Sequence, residues 1–242
     1  MDTEPTTTWG NGYLTRKLAK QCQNCFIPDS KLKEVEGRSI KTCSGCNRTH
    51  YCSRECQKEN WKWHKTMCKA NQAAKELMKE SFVPGATTYQ VIEVSKYFKS
   101  WLDYHRPILA KAVISALEIK ANNDNLFTHY LHLEVLPNFL PGKKPADIKR
   151  AFTFRSARRL PMELLLDSNA VGAEQIHELL QRSKEVRREL RQPGFAITLV
   201  NIPQVHLANQ IVYGPDKNCL EYDEDWEATL QSHIDNGKVF KG

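Results

Sequence analysis

The chain has 242 residues, with 35 Lys+Arg against 28 Asp+Glu and a formal net charge of +7. That length holds one large domain, or a small domain followed by a medium one. With 26% charged and 40% hydrophobic residues, and only 11 Gly and 11 Pro, the composition excludes collagen, a coiled coil and wholesale disorder. No stretch reaches the ~18 uncharged apolar residues of a membrane span. The most apolar run, Pro107 to Leu117, is interrupted by Lys111. The start, Met1-Asp2-Thr3-Glu4-Pro5, has neither the basic nor the apolar region of a secretory signal. The expectation is an intracellular protein, nuclear or cytoplasmic, with no membrane association.

Residues 1–17, with Thr6-Thr7-Thr8 and Gly10-Asn11-Gly12, read as a flexible terminus. A cysteine-rich segment fills 18–70. A helix is expected to continue through Ala73, Leu77 and Met78 until Pro84-Gly85, which marks the domain boundary. The remainder, 85–242, reads as α+β. Ile92, Tyr97 or Phe98, and Trp101 or Leu102 recur at helical spacing. Pro107 suits the first turn of a second helix carrying Leu109, Val113 and Leu117, with Asn122–Asn125 ending it. Leu131, Leu133 and Val135 alternate with His132 and Glu134, which predicts a strand, as do Phe152 and Phe154. Ala173 to Leu190 is amphipathic. Phe195–Ile202 and Val205–Tyr213 read as strands flanking Pro203, and a short helix is expected near Trp226 and Leu230.

Seven of the eight cysteines lie between Cys22 and Cys68. Reduced intracellular thiols make a metal site a better reading than a disulfide framework. The spacing is Cys22-x2-Cys25, x17, Cys43-x2-Cys46, x5, Cys52-x3-Cys56, x7, His64-x3-Cys68. Four pairs supply eight ligands, enough for two tetrahedral zinc ions. The x3 pairs sit at i,i+4, which on a helix puts both side chains on one face, about 5–6 Å apart at Cβ. Ser53 to Lys69 lacks Gly and Pro, consistent with one helix. A domain this small buries too little surface to be stable alone. A structural zinc contributes about 10–16 kcal/mol in a finger peptide at neutral pH. Four pairs can be shared between two ions in three ways. The short x5 permits a local four-cysteine site, the long x17 favours interleaving, and spacing leaves the choice open.

Thr42-Cys43-Ser44-Gly45-Cys46, Tyr51-Cys52-Ser53-Arg54-Glu55-Cys56-Gln57, Trp61 and His64-Lys65 up to Cys68 closely resemble the MYND zinc finger. The motif covers about a fifth of the chain. RING and PHD fingers carry their histidine earlier in the ligand order than the seventh place His64 holds here. The resemblance implies interleaved zinc sites, with Cys22, Cys25, Cys52 and Cys56 on one ion and Cys43, Cys46, His64 and Cys68 on the other. The remainder faintly resembles fungal proteins that carry this finger. The expected fold class is thus α+β: a small N-terminal two-zinc finger, then a larger α+β domain with long helices and an antiparallel or mixed sheet.

Other candidates have plainer readings. Cys219 has no partner pair and reads as a free thiol. His50 competes with His64 as a ligand but lacks its i+4 cysteine. His129 and His132 fall on opposite strand faces. Residues 14–72 carry a formal +8, which invites a nucleic-acid partner. Seven thiolates and two Zn²⁺ bring that to about +5, so solvated lysines balance an anionic thiolate core. Arg155, Arg158 and Arg159, the group Arg182, Lys184, Arg187, Arg188 and Arg191, and the acidic stretch Glu221, Asp223, Glu224, Asp225 and Glu227 read as solvated faces.

MYND fingers also occur in SET-type lysine methyltransferases, so a methyltransferase relative is the competing enzyme reading. Such enzymes resemble a Gly-rich cofactor loop joined to an Asn-His motif. Gly10-Asn11-Gly12 is the only candidate loop, and no Asn-His dipeptide occurs. No Ser/His/Asp, HExxH or P-loop pattern is present. Four protein ligands per zinc leave no open position for catalysis. The expectation is a non-enzymatic interaction module. The resemblance implies a protein partner bound through a short proline-containing peptide, at Ser44, Gln57 and Trp61. An indole gives proline or leucine a flat platform. The alternative is that Trp61 is finger core.

Overall fold

In the finger, Gly37 ends α1 (Asp29–Glu36) in the left-handed conformation, and a hairpin of β1 (Lys41–Thr42) and β2 (His50–Tyr51) follows. The computed structural model describes residues 20–80, 91–167, 173–214 and 220–238. The N-terminal segment 1–17, the boundary at Pro84-Gly85 and Cys219 lie outside the described residues. Asp29 anchors the long loop between the first two cysteine pairs. Its carboxylate accepts the Ile40 N–H at 2.7 Å and pairs with Lys33 at 2.9 Å.

Ser53 to Lys69 is not the single helix expected. It is α2 (Arg54–Glu59) followed by α3 (Trp61–Glu80), parted at Asn60. Asn60 is buried; it accepts the Tyr51 hydroxyl at 2.9 Å and donates to the Gln23 carbonyl at 3.3 Å. Those bonds hold the break, and the His64 N–H restarts the helix on the Asn60 carbonyl. Cys52 precedes the cap residue Ser53, whose hydroxyl accepts the Cys56 N–H at 3.1 Å. Only His64 and Cys68 therefore share one helix face.

The α+β region has a four-stranded sheet of order β4-β3-β5-β6. These are β3 (His129–Pro137), β4 (Phe152–Pro161), β5 (Ala196–Ile202) and β6 (Leu207–Tyr213). β3 runs antiparallel to β4 and parallel to β5, and β5 and β6 form an antiparallel hairpin, so the sheet is mixed. Leu131, Leu133, Val135, Val200 and Ile202 pack one face against α4 (Val91–Ala116) and α8 (Trp226–Asn236). On the other face Tyr130 and Ile197 meet Met162 and Ile176, from the turn before α6 (Glu163–Leu166) and from α7 (Ala173–Leu190). A short helix, α5 (Asn125–Thr128), leads into β3.

Two helix boundaries differ from expectation. α4 runs straight through Pro107. Buried Val94, Phe98, Trp101, His105, Ile108 and Ala112 keep one 3–4 spacing across it. Burying that stripe outweighs the roughly 3 kcal/mol cost of an interior proline. The helix also stops at Ala116 rather than at Asn122–Asn125, with Glu118 at φ 49°. Asn125 instead turns back and donates to the Leu117 carbonyl at 2.8 Å.

The finger is packed on this sheet and its helix. Arg48 donates to Asn209 Oδ1 at 2.7 Å, Lys99 to the Asn47 carbonyl at 3.1 Å and the Thr66 hydroxyl to Glu178 at 3.1 Å. His50 lies at this seam. Burial, then Arg106 and Lys20, hold its imidazole down to about 4.

Candidate metal centre

The two CxxC turns repeat one backbone design. The Phe26 N–H returns to the Cys22 carbonyl at 3.0 Å, and the Asn47 N–H to the Cys43 carbonyl at 2.9 Å. Phe26 and Asn47 are both left-handed, at φ 61° and 55°. Each turn aims two sulfurs the same way, as a tetrahedral ion requires.

The β1–β2 hairpin decides how the pairs combine. Cys43 leaves β1 at the turn end, where its N–H bonds the Thr49 carbonyl at 2.8 Å. Cys52 leaves β2 at the open end, where the first CxxC turn docks through the Gln23 N–H to the His50 carbonyl at 2.9 Å. The hairpin thus holds Cys43 and Cys52 at opposite ends. A local site of Cys43, Cys46, Cys52 and Cys56 is excluded, and the interleaved pairing is the one observed.

One group is Cys22, Cys25, Cys52 and Cys56; the other is Cys43, Cys46, His64 and Cys68. Within each, the ligand atoms lie within 4.8 Å of one another. In the first, the Cys25–Cys52 and Cys52–Cys56 sulfurs are 3.6 and 3.4 Å apart. In the second, Cys43 and Cys68 sulfurs are 3.9 Å apart, and His64 Nε2 lies 3.6 Å from Cys46 and 3.4 Å from Cys43. A zinc with Zn–S bonds of about 2.3 Å has tetrahedral sulfur edges of about 3.8 Å. The donor chemistry and spacing fit two zinc ions. The second site is buried throughout, whereas the first has Cys25 exposed and Cys56 half-buried.

The surroundings lower some of the thiols and raise others: Cys22, Cys43 and Cys46 are held down, whereas the hydrogen bond to Cys22 pushes Cys25 up and burial pushes Cys52 and Cys68 up. A hydrogen bond from Cys25, helped by backbone N–H groups of Cys25, Cys52 and Asn24, brings Cys22 down to about 5 against burial. Burial raises Cys46, but His64 and the Arg48 and Thr49 backbone overcome it, leaving the thiol at about 6. Gly45 leaves little room beside the second site: a Cβ there would stand 2.7 Å from Gln72 Nε2 and 3.1 Å from Cys68 Sγ.

Supporting groups escaped the spacing argument. Thr49 Oγ1 sits 3.2 Å from His64 Nδ1 and holds the ring with Nε2 toward the Cys43 and Cys46 sulfurs, where it would ligate the ion. Gln72 donates to Cys68 Sγ at 3.5 Å. Its i+4 offset from Cys68 was a readable signal; nothing local marked Thr49.

Residues 20–68 match the MYND finger family. The matched relatives include a SET and MYND domain-containing protein of Dictyostelium discoideum, 43% identical over 57 residues, 24% of this chain and 10% of that protein. SET domain and MYND-type zinc finger protein 6 of Schizosaccharomyces pombe is 39% identical over 59 residues, 24% of this chain and 11% of its own length. Tudor domain-containing protein 1 of Oryzias latipes is 48% identical over 46 residues, 18% of this chain and 4% of its own. The match to these relatives thus spans about a tenth of their length or less. No solved structure matches the chain. The MYND finger is a zinc-binding interaction module.

Around the second site, Trp61 is 42% exposed, with its ring edge-to-face on His64 at 5.8 Å between centroids. Trp63 is half-buried. Ser44 is exposed in the Cys43–Cys46 turn. Gln57, in α2, turns inward and donates its amide to Cys43 Sγ at 3.7 Å. No described helix is long and apolar enough to cross a membrane.

Proposed function

We propose that the MYND finger recruits a protein partner by holding a short, extended, proline-containing peptide beside the second zinc site, at Ser44, Gln57 and Trp61. The observation that carries this reading is the exposed Trp61 indole braced on the metal ligand His64. A large aromatic left uncovered on a small, metal-stiffened scaffold is a preorganised anchor. Ser44 offers an exposed hydroxyl in the Cys43–Cys46 turn of the same zinc site. Gln57 keeps its carbonyl oxygen for a peptide N–H while its amide is committed to Cys43.

The reading includes no catalysis. Both ligand sets offer four protein donors, which leaves no position for substrate. The SET domains named in the relatives lie in proteins that this chain matches through the finger region, and the 242 residues contain no Asn-His dipeptide. In the α+β region arginines that could meet nucleic acid are already paired: Arg159 with Glu118 at 2.7 Å, Arg187 with Asp124 at 2.6 Å and Arg182 with Glu185 at 3.2 Å.

The test is Trp61→Ala in the full chain. It should keep two zinc ions and a normal melting profile while losing affinity for a labelled proline-leucine peptide. A folded Trp61→Ala protein that binds as wild type does would move the site elsewhere. Saturable S-adenosylmethionine binding would overturn the non-enzymatic reading.

A further inference from the structure

We propose that the captured peptide is acidic, its Asp or Glu side chains lying along a lysine ladder on α3 beside the Trp61 anchor. This rests on the peptide reading above and adds the chemistry of the partner.

Helical phase divides α3 sharply. His64 and Cys68 are buried toward the zinc, and Trp63 and Met67 are half-buried. Trp61, Lys62, Lys65, Lys69 and Gln72 are all exposed. At 100° per residue those five fall within about 100° of arc, with Trp61 at the edge next to the metal. Lys58, at the end of α2, is exposed too. Among the described residues none of these four lysines enters an ion pair.

This arrangement breaks a rule the finger keeps elsewhere. α1 carries Asp29 in its first turn and α2 carries Glu55, each complementing the positive helix start. α3 has no acid in its first turn, and none occurs from Trp61 to Gln72. Lysine at a helix N-terminus adds to the positive end instead of offsetting it. Local rules of this kind are broken where a surface serves a ligand.

The dimensions favour a peptide over nucleic acid. From Lys62 to Lys69 the helix rises about 10 Å, the length of about three residues of extended chain. The neighbouring α2 also exposes Glu55 and Glu59. The ladder contains no arginine to fork onto phosphates. One aromatic anchor and three point charges suit a proline-leucine core flanked by a few carboxylates.

The experiment uses the zinc-loaded full chain and three fluorescein-labelled peptides sharing a Pro-Leu centre, flanked by Asp/Glu, by Asn/Gln or by Lys. Each exposed pair removed is expected to weaken binding about two- to five-fold. The acidic peptide should therefore bind about tenfold more tightly than the neutral one at low salt, and the gap should close at high salt. Lys62→Gln, Lys65→Gln and Lys69→Gln together should erase that preference and leave neutral-peptide binding intact. Equal affinity for acidic and neutral peptides overturns the acidic assignment alone. Binding of none of the three overturns the peptide reading as well. An oligonucleotide that displaces the acidic peptide and needs the same lysines more strongly reassigns the ladder to nucleic acid.

Discussion

Phe26 packs its ring on Phe195 at 5.5 Å between centroids, although its backbone is left-handed at φ 61°. A bulky residue in that region costs of order 1–3 kcal/mol and persists only when its surroundings compensate. Asparagine, which tolerates this conformation, holds the same position in the second CxxC turn at Asn47. The first turn uses phenylalanine because the ring reaches the sheet domain: Gly214 lies so near that a Cβ there would stand 3.2 Å from the Phe26 ring.

Phe26→Asn should therefore retain two zinc ions yet weaken the coupling between the finger and the domain, which then rests on the Arg48, Lys99 and Thr66 hydrogen bonds. The measurement is calorimetry with and without chelator. In wild type, removing zinc should lower the domain transition as well as abolish the finger's. In the variant the domain transition should respond less to the chelator. Equal chelator sensitivity in the two proteins would deny Phe26 a coupling role.

The two metal sites should empty in order. Cys25 is exposed in the first site, whereas all four ligands of the second are buried. A chromogenic chelator should take one zinc in a fast phase and the second slowly. Cys25→Ser should remove the fast phase and leave one zinc; Cys43→Ser should abolish the slow one. Cys219→Ser should leave the stoichiometry at two. A single release phase in wild type would contradict the difference in burial.

Gly45→Ala tests the tightness of the second site. Its methyl would need the space of Gln72 Nε2, at 2.7 Å, and press on Cys68 Sγ. Gln72 can swing away, but the sulfur is pinned by the ion. The expected outcome is a much weaker second zinc, with the first unaffected, seen by elemental analysis after dialysis. Full retention of two zincs would show that the turn can relax.

His105 makes the sheet domain acid-sensitive. Its ring is 2% exposed, lies 4.6 Å from Trp101 and donates from Nε2 to the Lys149 carbonyl at 2.8 Å. Burial, reinforced by His233, holds it down to about 4, against the Lys149 bond and Asp147, which pull it up. The unfolded chain therefore binds a proton that the folded chain refuses. Stability is full above about pH 6.5 and is lost as pH falls toward 4, by about 3 kcal/mol from this group. His105→Gln keeps a donor for Lys149 and should flatten that dependence in chemical denaturation followed by tryptophan emission. An unchanged slope between pH 6.5 and 4 would assign the loss to other groups.

Local chemistry was legible from the residues alone. Cysteine and histidine at short spacings named all eight ligands, because a tetrahedral ion can be bound pairwise from tight turns and one helix face. Alternating apolar residues predicted β3 through β6, and amphipathic spacing predicted α7, because burial selects one face of an element wherever it packs. The pairing of ligands was a different kind of fact. It depends on which end of the β1–β2 hairpin each cysteine leaves, a contact between residues far apart in the chain. The break at Asn60 was likewise invisible locally, since Tyr51 and Gln23 hold it from another part of the finger. Pro107 read as a helix start because the proline signal is local, whereas the sheet beneath α4 rewards continuity over about five turns, from Val94 to Ala112. Phe26 looked like any apolar residue after a cysteine. Only Phe195 and Gly214, brought beneath it by the fold, explain why a strained aromatic stands there.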